Sequence, residues 1–125
     1  MNIAFSVDTE PYPQPRPRVS RRRGVYEAKR VTEYKRILAI EGRRHMLDCP
    51  PFSTPVFVSI VLRRRFDITS VRFGDVDNHV KAVLDALKGV CYTDDSLVVG
   101  IDVIKVKSKI SGVDIVISDL PPTVQ

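Results

Sequence analysis

No stretch of the 125-residue chain approaches the roughly 18 consecutive apolar residues that a membrane-spanning helix needs. The longest candidates are segments such as VFVSIVL at 56–62, so a membrane protein is not expected. The N-terminus, MNIAFSVDTE, lacks a basic start and carries Asp8 and Glu10 where a signal peptide is apolar, which argues against export and for a cytoplasmic protein. Cysteine and histidine are scarce. Cys49 and Cys91, His45 and His79 show neither CxxC nor HxxxH spacing, so a structural zinc site has no support and reduced thiols are the default. Tryptophan is absent, which excludes nothing.

What is present suits one globular core. The length is that of a single domain over 1–125, and 43% apolar with 28% charged residues lies in the range of folded chains. The net charge of +5 favours an anionic partner. Residues 1–73 hold 15 basic and 7 acidic side chains, whereas residues 74–125 hold 5 basic and 8 acidic ones. Basic and acidic groups are therefore segregated along the chain.

Ile3, Phe5 and Val7 alternate with Ala4, Ser6 and Asp8, the period of a half-buried strand. Residues 11–24 crowd proline with arginine and read as a loop or extended arm, because proline removes an N–H and fixes φ. From Ala28 to about Leu47, Val31, Tyr34, Leu38 and Glu41 trace one helical face, which Ile37 and Ile40 widen. Pro50 and Pro51 end that helix. The β-branched run from Val56 to Arg64 predicts a central strand covered on both faces. Residues 65–74 read as a turn or exposed loop. The clearest helix is 77–88, with Val80, Val83, Leu84 and Leu87 at helical spacing and Gly89 at the stop. Strands follow at 97–107 and 113–117, read as a hairpin around the Ser111–Gly112 pair, and 119–125 form a fraying tail. The fold class is α+β: one small domain with a mixed sheet of about four to five strands and two main helices packed on it.

Asp75 and Asp77 flank Val76 just before the second helix, and on an extended backbone an i, i+2 pair points to one side. Two readings compete. A divalent cation between the carboxylates would relieve their repulsion, whereas helix capping would use them against the macrodipole. Lys81 lies one turn after Asp77 and either joins such a site or makes a routine ion pair. Asp94 and Asp95 sit in a turn, where aspartate is favoured for turn chemistry alone. All four carboxylates converge only if that turn folds back beside the N-terminus of the helix.

The stretch GDVDNHVKAVLDALKGVCYTDDSLVVGI at 74–101 resembles the signature of the RusA family of Holliday junction resolvases: DxDN, a lysine three residues beyond the Asn, a DAL-G helix end and a DDS turn. QPRPR at 14–18 and VYEAKRVTEYK at 25–35 resemble that family's arm and following helix, so the likeness covers most of the chain. The resemblance implies a Mg²⁺-dependent homodimeric endodeoxyribonuclease, with Mn²⁺ as the alternative ion. It would resolve four-way DNA junctions by paired nicks in recombination and repair, and such enzymes are often encoded by phages or prophages. By position it assigns metal binding and catalysis to Asp75, Asp77 and Asp95, with Asp94 as the alternative to Asp95, and a catalytic role to Lys81. His79 reads as a helix-surface residue. DNA binding would fall to Arg16, Arg18, Arg21, Arg22, Arg23, Arg63, Arg64 and Arg65, and to Lys105, Lys107 and Lys109, which alternate as if along one strand face or strand edge. The rival readings are another branched-DNA nuclease, a non-catalytic nucleic-acid-binding module, and a small interaction protein whose basic arm meets an acidic protein partner.

Overall fold

The structure, a computed structural model, describes residues 1–15 and 21–119, with the side chains of the first helix described from residue 29. Arg16, Arg18 and residues 120–125 of the expected tail lie outside the described residues. Two helices pack on a four-stranded mixed sheet, the expected α+β arrangement. The elements run β1 (Asn2–Val7), α1 (Arg21–Met46), β2 (Val56–Arg64), α2 (Val76–Leu87), a 3-10 turn (Asp95–Leu97), β3 (Val98–Lys107) and β4 (Gly112–Asp119). No helix among the described residues is long and apolar enough to cross a membrane.

Helix α1 begins at Arg21, seven residues before the expected start, because nothing after Pro17 forbids helical φ and only Gly24 weakens it. Its buried stripe is Val31, Tyr34, Leu38, Gly42 and Met46, whereas Ile40 is exposed. Gly42 has a packing reason. A Cβ there would lie 3.0 Å from Leu87 and 3.1 Å from Cys91, so the missing side chain lets α1 approach α2. The two helices run in the same direction: Lys35 pairs with Asp85 at 3.5 Å, and Gly42 meets Leu87 farther along both. Helix α2 is rotated from its expected face, burying His79, Ala82, Val83, Ala86 and Leu87 while Val80 and Leu84 are half-buried.

Strand β2 is interior, as expected, but only one of its faces is closed. Val56, Val58, Ile60 and Leu62 are buried under the helices, while Phe57, Ser59, Val61 and Arg63 alternate as half-buried residues. The β-branched run reflected strand packing rather than a second covering layer. The expected hairpin is also corrected. The sheet order is β1-β4-β2-β3, so β4 lies between β1 and β2, antiparallel to both, and β3 pairs in parallel with the other side of β2. The 108–111 connection crosses the end of β2, held by Ser108 N–H on the Arg64 carbonyl at 2.9 Å and by Arg63 Nη1 on the Ile110 carbonyl at 2.8 Å. A Ser-Gly pair lacks the Asn-Gly chemistry that dictates a two-residue hairpin, so pairing with the apolar β2 prevails.

Candidate functional site

The turn that carries Asp75 is fixed from several sides. Phe73 is buried, and Gly74 adopts φ +89°, a conformation open to glycine; Pro13 would stand 2.8 Å from any Cβ there. Lys105 reaches up from β3 and donates to the Gly74 carbonyl at 2.5 Å, with its ammonium 5.0 Å from the Phe73 ring centre. Arg64 lies 4.9 Å from the same centre. Asp75 then occupies the N-cap position of α2 with an extended backbone, yet its side chain makes no capping hydrogen bond. A capping hydrogen bond is therefore not what this carboxylate provides, while its place at the start of α2 still sets it against the helix macrodipole. Asp77 is exposed in the first turn and Lys81 is exposed one turn later.

His79 is not on the helix surface. It is fully buried, edge-on to Phe73, with Nε2 2.5 Å from the Phe73 carbonyl. A carbonyl only accepts, so Nε2 carries the proton and Nδ1 is bare, without a partner among the described residues. Burial, reinforced by the Lys105 and Arg64 cations, pushes the imidazole down to about 4. Periodicity missed this because His79 falls outside the Val80–Val83–Leu84–Leu87 stripe, and only the rotation of α2 toward Ala82 and Ala86 brings it inside.

Asp94 and Asp95 are elsewhere. Asp94 caps the 3-10 turn, accepting from Ser96 N at 3.1 Å and from Ser96 Oγ, and these bonds hold its carboxyl below the usual range. Lys88, at the C-terminal end of α2, reaches Asp94 at 3.6 Å and Asp95 at 4.0 Å. The 12 residues of α2 span about 18 Å, with Asp75 and Asp77 at its other end. The turn does not fold back beside the N-terminus of α2. Among the described residues no three Asp, Glu, His or Cys side chains form a group that could hold a metal ion.

The chain matches the family of endodeoxyribonuclease RusA over residues 8–118. It belongs to the RusA endodeoxyribonuclease family. It is also similar to the uncharacterized protein YqaN of Bacillus subtilis (strain 168), 30% identical over 137 aligned positions that cover 94% of this chain and 96% of that protein.

On this RusA-family fold the cations expected to meet DNA divide into groups. Arg63 is engaged by Asp8 at 3.0 Å and Asp114 at 3.1 Å, besides the Ile110 carbonyl, and clamps the strand ends. Arg64 donates to the Asp67 carbonyl at 3.0 Å and Ser70 Oγ at 2.9 Å and pairs with Glu10 at 3.4 Å, so it organises the loop after β2. Arg65 is exposed. Arg21, Arg22 and Arg23 open α1, with their side chains outside the described residues. Lys105 and Lys107 alternate on β3, but Lys109 lies in the crossover after the strand ends at Lys107, and Lys105 is half-buried beneath Gly74. Lys105 thus supports the Asp75 turn. Lys105→Met is expected to speed amide exchange at 74–77 while moving the melting temperature only a few degrees; unchanged protection would remove Lys105 from this role.

Proposed function

We propose that this chain is a divalent-metal-dependent nuclease that resolves four-way DNA junctions by paired nicks, acting as a homodimer in recombination and repair in the cytoplasm of a bacterial or phage-infected cell. The observation that carries the reading is the Asp75–Asp77 pair, delivered on a clamped turn at the start of α2, in a chain of an endodeoxyribonuclease family. The donor set fits Mg²⁺, or Mn²⁺ in its place, since hard carboxylate oxygens from one or two side chains are what such an ion takes from a protein beside substrate phosphate. Bound there, the ion would supply a water ionised at neutral pH and a clamp on the scissile phosphate.

Asp75 and Asp77 hold and orient that ion. Lys81, on the exposed side of α2 one turn from Asp77, neutralises charge growing on the phosphoryl oxygens, for which a compact ammonium is suited. Asp95 comes from a second copy of the chain. The separation along α2 supports this, because Asp95 lies too far from Asp75 and Asp77 of its own chain to share an ion with them. Asp94 is the weaker candidate, since Ser96 already occupies its carboxylate. A two-fold dimer then offers two equivalent sites to the two equivalent strands of a junction.

The test is cleavage of a synthetic mobile four-way junction beside a linear duplex and a flap. Paired nicks in the junction alone, with Mg²⁺ or Mn²⁺ and not with EDTA, are expected. Equal cutting of the flap would widen the substrate to branched DNA in general. Junction binding without cutting under any divalent ion would replace the nuclease reading with that of a binding module.

A further inference from the structure

The loop between β2 and α2 is built rather than slack. Asp67 accepts from Thr69 N at 3.0 Å and Thr69 Oγ1 at 2.8 Å, Arg64 ties down the Asp67 carbonyl and Ser70, and Phe73 N–H returns to the Ser70 carbonyl at 3.1 Å. Ile68 packs inward against the core. On either side of this frame, however, Phe66 is 64% exposed and Val71 97% exposed. A loop fixed by internal bonds has no need of an outward phenylalanine for its own stability, and burying such a ring is worth about 1.5–3 kcal/mol. Its exposure points to a partner.

The surroundings say which. Arg65 lies 5.7 Å from the centre of the Phe66 ring, and Arg72 is exposed beside Val71. Lys107 is near enough to help hold the Asp67 carboxyl below its usual range, after the dominant Thr69 hydrogen bonds. The loop's one carboxylate is engaged internally, so its outer surface offers cations and apolar tips. It ends at Phe73, two residues before Asp75. Guanidinium groups suit phosphates, and a flat aromatic suits the face of a base that has lost its stacking neighbour, as bases at a branch point do.

We propose that residues 65–72 engage unstacked bases at the branch point of DNA, with Phe66 as the stacking residue and Arg65 and Arg72 on the flanking phosphates. This rests on the nuclease reading above and names the part of the surface that would distinguish branched from linear DNA.

The experiment uses a junction with 2-aminopurine at the crossover, Ca²⁺ in place of Mg²⁺ to hold the complex uncut, and the wild type, Phe66→Ala and Phe66→Tyr. The wild type is expected to change the probe's fluorescence on binding. Phe66→Ala should lose that change and bind the junction roughly 5- to 150-fold more weakly, the size of losing one base–aromatic stack. Its duplex affinity and melting temperature should be unaltered, and Phe66→Tyr should recover the signal. Equal weakening on junction and duplex, or none on either, would overturn the inference. So would a fall in dimer association seen by sedimentation, which would make Phe66 a protein contact. A wild type that prefers the junction beside a Phe66→Ala variant that prefers it equally sinks this inference alone, whereas a wild type with no junction preference sinks the resolvase reading with it.

Discussion

Asp75→Asn and Asp95→Asn should each be unable to cut a junction, yet a mixture of the two co-expressed chains should cut. On the proposed shared site each single variant would lose one oxygen ligand of every site, and removing one preorganised electrostatic contact at a reacting centre lowers rates by about 10²–10³-fold. In a dimer whose sites are shared, the mixed species pairs the intact Asp75 of one chain with the intact Asp95 of the other. One of its two sites is then wholly wild type. Random pairing makes half of all dimers mixed, so about a quarter of wild-type sites should return, seen as single nicks rather than paired ones. If each chain completed its own site, the mixture would remain as inactive as its components. Gel analysis of nicked and resolved products separates the two results, and DNA binding should survive in all of these proteins because removing a carboxylate relieves repulsion with phosphate.

Acidification should cost this protein stability through His79. Its imidazole titrates near 4 in the fold and near 6.5 when unfolded, so as pH falls the unfolded chain takes up the proton first. Stability is therefore full above pH 6.5 and is lost progressively as pH falls toward 4. The shift corresponds to up to about 3 kcal/mol. Protonation would put a cation on the bare Nδ1, inside the fold, beside Lys105 and Arg64. Denaturant unfolding of the wild type and His79→Gln across pH 4–7 measures the difference. The variant's stability should fall less steeply over that window, and an identical pH dependence would show that His79 is not held neutral by the fold.

Both predictions concern features that the sequence carried only in part. Asp75, Asp77, Lys81 and the paired aspartates at 94 and 95 are visible as residues, and their order along the chain resembles the family signature. Their separation is not. It depends on α2 standing between the two acidic groups with the turn at 94–97 lying at its C-terminal end, and spacing along a chain does not encode that distance. Lys105 shows the same gap. Its alternation with Lys107 marked it as a surface cation, but a lysine stem reaches far enough to take a carbonyl on a neighbouring element, and the choice of that carbonyl is made by packing.

The main strands and helices, and part of each inner face, are legible in the chain because apolar period follows directly from strand and helix geometry: Ile3, Phe5 and Val7 on β1, Val56, Val58, Ile60 and Leu62 on β2, Leu38 on α1, Val83 and Leu87 on α2. The acidic pair at the start of α2 is legible in the same way. Long-range packing alone sets β4 between β1 and β2, turns His79 inward, and puts Asp95 at the far end of α2 from Asp75. Periodicity records which side of an element avoids water. It does not record which neighbour supplies the shelter, and that competition among long-range contacts is settled only when all the elements pack together.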